Sequence, residues 1–155
     1  MKKEVLLKYR EFHWNYFSLH AEQRLKTFHF YLIVSAILIG AFINIFNGEQ
    51  DLKLAFILPY VLTFISFIFY MIDVRARYML KTSQDAIKLI DTKIIKNDEE
   101  HPSRLNIFEF DEYLVKDKKG GMNYSKSFGL IFIIFGFLSF AAGSYYLYSW
   151  IATMF

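Results

Sequence analysis

The chain has 155 residues and a formal charge of +3; 55% of it is hydrophobic, 20% aromatic and 21% charged. Soluble domains carry about 25% charged and about 45–50% apolar residues, so this is not a typical soluble domain, and its mean hydropathy of +0.25 agrees. The charge is too small to point to nucleic acid by itself, and the absence of cysteine removes disulfides, thiolate chemistry and zinc–sulfur sites.

Residues 1–29 contain no Gly or Pro and place Val5, Tyr9, Phe12, Tyr16 and Leu19 at steps of four and three, one stripe of an amphipathic helix. Two placements suit it. It extends the first span into the cytoplasm, or it lies in the headgroups, for which Trp14 and the flanking Lys2, Lys3, Lys8 and Arg10 are also suited. His13, His20 and His29 lack the i,i+4 spacing and the converging carboxylates of a metal site, so they read as satisfied or solvated histidines and no metal is expected.

Residues 30–46 are an uncharged run of 17 and form transmembrane segment 1. A cleaved signal peptide fits poorly: the run starts late, lacks a small-x-small cleavage site and is soon followed by another span. Ala36, Gly40 and Asn44 recur every four residues, a spacing that lets helix backbones approach closely in lipid. Residues 47–53 form a short external loop holding Lys53.

Residues 54–72 are transmembrane segment 2. Pro59, Thr63, Ser66, Tyr70 and Asp73 follow steps of four and three down one face, which continues to Arg77 and Gln84. A polar stripe on an apolar span must face protein or water, because unsatisfied polar groups in lipid are costly. Thr63, Ser66, Tyr70 and Asp73 are therefore candidate pore-lining residues. The plainer reading is that Thr63 and Ser66 bond their own backbone carbonyls and Asp73 marks the membrane edge.

Residues 73–127 are the cytoplasmic helical segment and linker. From Val61 to His101 there is no Gly or Pro, so span two is expected to continue as one long helix. Ala76, Leu80, Ser83, Ile87, Ile90 and Ile94 repeat as the a/d seam of a short coiled coil or bundle, which needs a partner helix. Acidic Asp98 to Glu100 and Pro102 should end the helix; residues 105–115 are a short amphipathic piece, and 116–123, KDKKGGMN, a turn. Residues 128–155 are transmembrane segment 3, with Gly129, Gly136 and Gly143 at intervals of seven; like Ala36 and Gly40, these read as helix-packing positions, some of them between subunits.

Of 18 Lys and Arg, six precede the first span, one lies in the external loop and eleven lie between spans two and three. Lys- and Arg-rich loops stay cytoplasmic, so the amino terminus is expected inside and the carboxyl terminus outside, with Tyr145, Tyr146, Tyr148 and Trp150 at the far headgroups. No nucleophile elbow, Walker loop, dinucleotide fingerprint or EF-hand occurs, so no catalytic residue, cofactor or enzymatic activity is expected. Juxtamembrane bases suit anionic lipid. In a homo-oligomeric ring, however, Arg75, Arg77, Lys81, Lys118 and Lys119 would converge as ligand or gate residues for an anion or polynucleotide.

Tyr9-Arg10-Glu11-Phe12, His20-Ala21-Glu22-Gln23-Arg24-Leu25 running into Phe28-His29-Phe30-Tyr31-Leu32, and Tyr124-Ser125-Lys126-Ser127 resemble the small multi-span membrane effectors found beside nucleotidyltransferases and other sensors in bacterial anti-phage defence loci, nearest to the Hailong type. The resemblance implies an oligomeric inner-membrane channel, silenced by a bound nucleotide or single-stranded nucleic acid and opened during infection to depolarise the cell. It carries over no ligand residue. The sequence thus supports an all-α, homo-oligomeric membrane protein of three transmembrane helices with cytoplasmic extensions, acting as a gated ion-conducting effector. The alternative is a non-conducting anchor or assembly subunit that docks a cytoplasmic partner such as a sensor protein.

Overall fold

The structure is a computed structural model that describes residues 3–47, 56–95 and 124–152. Among these residues all regular structure is helical: α1 Lys3–Asn47, α2 Ile57–Ile95 and α3 Tyr124–Ala152. The expected external loop, the helix end near Pro102, the 105–115 piece and the KDKKGGMN turn lie outside the described residues.

Each helix is long because nothing in it forces a stop. The first Gly or Pro of α1 is Gly40. Pro59 falls in the first turn of α2, where its missing N–H has no intrahelical partner to lose. The glycines of α3 sit in an apolar helix, a setting that tolerates them. At 1.5 Å per residue, the 45, 39 and 29 residues of the three helices run about 68, 58 and 43 Å, against about 30 Å of bilayer hydrocarbon. All three are long and apolar enough to cross a membrane.

Two compact units divide the chain, one of Met1–Arg24 with Arg75–Tyr124 and one of Leu25–Val74 with Ser125–Phe155. Among the described residues of the first, the buried apolar side chains are Leu6 of α1 and Ile87 and Ile90 of α2, with Ser83 buried on the same seam. Arg10 Nε donates to Asp91 Oδ1 at 2.6 Å, joining α1 to α2 there.

In the second unit the three helices pack around Tyr31, Phe128 and Phe132, with Phe28, Phe69 and Phe135 against them. Phe28 stacks flat on Phe128 at 4.1 Å between centroids, and Tyr31 meets Phe132 edge-on at 4.6 Å. This unit buries polar groups beside its aromatic core and turns a largely apolar surface outward. Ser35, Ser66, Asp73 and Ser139 are buried, while Ile33, Ile37, Phe64, Phe67, Phe137 and Leu138 are exposed. Water would penalise so large an apolar surface, and hydrocarbon would not.

Candidate functional site

The candidate site is the polar face of α2 in the second unit, and the 3.6-residue helical period sets its alignment. Ser66 is 2% exposed. Its Oγ donates to Leu62 O at 2.8 Å and lies 2.8 Å from the hydroxyl of Tyr31. The single Ser66 proton goes to the carbonyl, so Tyr31 donates to Ser66. Thr63 Oγ1 donates to Pro59 O at 2.9 Å and reaches Gly136 O at 3.4 Å. Both hydroxyls therefore bond their own helix and also reach a neighbouring one, Ser66 to α1 and Thr63 to α3. Tyr70 packs, half-buried, against the aromatic cluster, and Asp73 is 3% exposed.

Two of the glycines explain how α3 comes so close to this face. A Cβ added at Gly136 would stand 3.3 Å from Ser66 Cβ, and one at Gly143 would stand 3.3 Å from the Tyr60 ring and 3.4 Å from Pro59 Cβ. Beside Gly143, Ser144 Oγ donates to Phe140 O at 2.9 Å, so the 3.3 Å contact with Tyr60 has the phenol as donor. Gly129 is buried, Ala36 and Gly40 are exposed, and a Cβ at Gly40 meets nothing within 4 Å.

The stripe thus faces α1 and α3 of its own chain. The Thr63 and Ser66 hydroxyls are held by backbone carbonyls and, at Ser66, by one phenol, an arrangement of acceptors and rotatable donors. No group of His, Asp and Glu able to hold a metal occurs among the described residues. His20 Nδ1 lies 3.0 Å from Gln23 Oε1, and its ring meets Tyr16 at 4.2 Å.

Of the basic candidates in the first unit, Arg75 and Lys81 are exposed and Arg77 is half-buried. Lys118 and Lys119 lie outside the described residues. The sequence reading missed two groups. Tyr31 is fully buried and donates to the stripe, and Ser35, one turn along, is buried with no hydrogen-bond partner for its Oγ among the described residues. Two hydroxyls four apart inside an uncharged run were the available signal. The Arg10–Asp91 pair, 81 residues apart, had none.

No family model matches the chain, and no solved structure matches it. The chain is similar to the CD-NTase-associated protein 19 of Escherichia coli, with 27% identity over 128 residues that cover 80% of this chain and 81% of that protein.

Proposed function

We propose that this protein is a membrane effector of anti-phage defence that conducts ions as a homo-oligomer, under the control of an anionic nucleotide or oligonucleotide. The defence role is supported by the similarity to a protein named for its association with a CD-NTase. One structural observation supports the conduction: a line of polar groups, with Ser66 and Asp73 buried and Thr63 and Tyr70 half-buried, inside a unit whose outer surface is apolar. Burying a carboxylate and hydroxyls among membrane-crossing helices is costly, and such groups mark ion and proton paths.

Control is assigned to the basic residues that follow the stripe. Arg77 continues its face, with Arg75 and Lys81 exposed nearby on α2. In a ring of subunits these cations would repel across the axis by roughly 1–4 kcal/mol per close pair, depending on the local dielectric. An anionic ligand on the axis offsets that repulsion and holds the ring shut. Its loss shifts the population towards the open state by the difference in its affinity for the two states. The chain sits in the bacterial inner membrane with its amino terminus in the cytoplasm, as the Lys and Arg distribution favours.

A membrane-potential dye in bacteria expressing the chain tests this reading. Triggered cells should depolarise and Arg77→Glu should alter the resting signal; an unchanged potential under every trigger favours the second reading, a non-conducting anchor. That reading has its own support, the exposed Tyr9, Phe12 and Trp14 of the first unit, an apolar surface outside the uncharged runs and suited to a cytoplasmic partner protein. Phe12→Asp with Trp14→Asp should then abolish partner binding while leaving the bilayer insertion intact.

A further inference from the structure

The second unit is not equally tight along its length. At the level of Phe28, Tyr31 and Phe128 the rings of α1, α2 and α3 fill the interior. Towards the other end the same three helices leave a half-open cavity of about 320 Å³. Leu38 and Phe42 of α1, Leu58 and Leu62 of α2, and Leu138 and Ala142 of α3 line it, and among the described residues Ser139 alone brings a side-chain hydroxyl to its wall. Beyond it, Phe42 meets Tyr146 edge-on at 5.3 Å.

We infer that this cavity seats the end of a phospholipid acyl chain, an inference that rests on the membrane placement proposed above. Protein interiors hold few voids larger than a water molecule. This one has roughly ten times a water's share of liquid volume, yet an apolar wall gives water too few of the partners it needs. The surroundings limit the occupant: outward-facing Ile37, Phe64 and Phe137 of the same helices are exposed, and the medium that suits them is hydrocarbon. A methylene is comparable in size to a water, so the cavity has room for roughly the last ten carbons of one chain. Pro59, Ser139 and Ala142 make the space, being small or compact where the aromatic end has rings. The seated chain holds α1 away from α2 and α3 at this level, while the Tyr31–Ser66 bond and the ring cluster tie the helices together at the other.

The test uses full-length protein in liposomes of phosphatidylethanolamine and phosphatidylglycerol carrying a photoactivatable diazirine near the end of one acyl chain, with the labelled residues mapped by mass spectrometry. The expected result is labelling of Leu62 and Phe135, recessed in the cavity, above that of Phe137, which is 71% exposed. Ala142→Trp, which fills the space, should bring the cavity labelling down to the Phe137 level or below, and Ser139→Leu should do so in part. Ile133→Trp, on the exposed surface, should leave it unchanged. Labelling that simply follows exposure, with Phe137 and Leu130 marked and the cavity not, would show a chain in the bilayer with the cavity unoccupied by lipid and would overturn the inference. A disulfide between two copies through Ala142→Cys would assign the cavity to a second subunit and overturn it likewise. Absence of label from every residue would instead refute the membrane placement itself.

Discussion

Replacing Gly136 by Leu should loosen the contact between α2 and α3 at the centre of the polar stripe. The added Cβ would stand 3.3 Å from Ser66 Cβ, inside the optimal carbon–carbon separation of about 3.5–4.0 Å. Neither Cβ can rotate away, so the backbones must part by a few tenths of an ångström for Cβ alone and by more for the rest of the leucine. The Thr63 contact with Gly136 O, 3.4 Å already, would be lost. Overpacking of this kind costs about 1–3 kcal/mol. Gly→Leu also gains about 0.8 kcal/mol in helix propensity, so the control is Gly40→Leu at an exposed position of α1, where an added Cβ meets nothing within 4 Å. In reversible unfolding by SDS in mixed micelles, followed by far-UV circular dichroism, Gly136→Leu should be less stable than Gly40→Leu by about 1–3 kcal/mol. The smaller change Gly136→Ala should cost less in a Ser66→Gly background, which lacks the opposing Cβ, than in a Ser66→Ala background, which keeps it. Equal stability of the two leucine variants would refute the close approach.

Tyr31→Phe deletes the donor to Ser66 and should cost about 0.5–1.5 kcal/mol in the same assay, with Phe30→Leu on the exposed face close to neutral. Arg10→Ala leaves buried Asp91 without its guanidinium; Arg10 is itself 42% exposed, which places the loss at about 1–2 kcal/mol, and Asp91→Ala in the Arg10→Ala background should cost less than it does alone. Cysteines introduced singly at Gly48 and Lys118 of this cysteine-free chain should label from opposite sides of the membrane with an impermeant maleimide; labelling from the same side would refute the topology.

Three long apolar helices were legible because length and hydropathy are local properties: an uncharged run without breakers has few alternatives to a membrane-crossing helix. The stripe of α2 was legible as a periodicity, but what it faces was not, since that depends on residues far along the chain. Ser66 meets Tyr31 35 positions earlier, and Thr63 meets Gly136 73 positions later. Seven-residue spacing marked one face of α3, whereas only the packing distinguishes Gly136 and Gly143, against Ser66, Tyr60 and Pro59, from open Gly40 on α1. Burial also changes which substitutions are informative. Leucine at Ser66 would overpack the approach to Gly136, so removal of a hydroxyl at constant shape is the better probe of the stripe. Ile87, fully buried, reports on the folding of its own unit and not on a docking surface.

The most direct measurement is the current carried by the purified chain in a planar lipid bilayer, compared with Thr63→Val, which removes one hydroxyl of the stripe and keeps the side chain's shape. Conduction along the stripe predicts discrete current steps for the parent, suppressed by anionic oligonucleotide on the cytoplasmic side, and a clearly smaller unit conductance for Thr63→Val. Currents indistinguishable from bare bilayer with and without the oligonucleotide, or parent and variant of equal conductance, would contradict it.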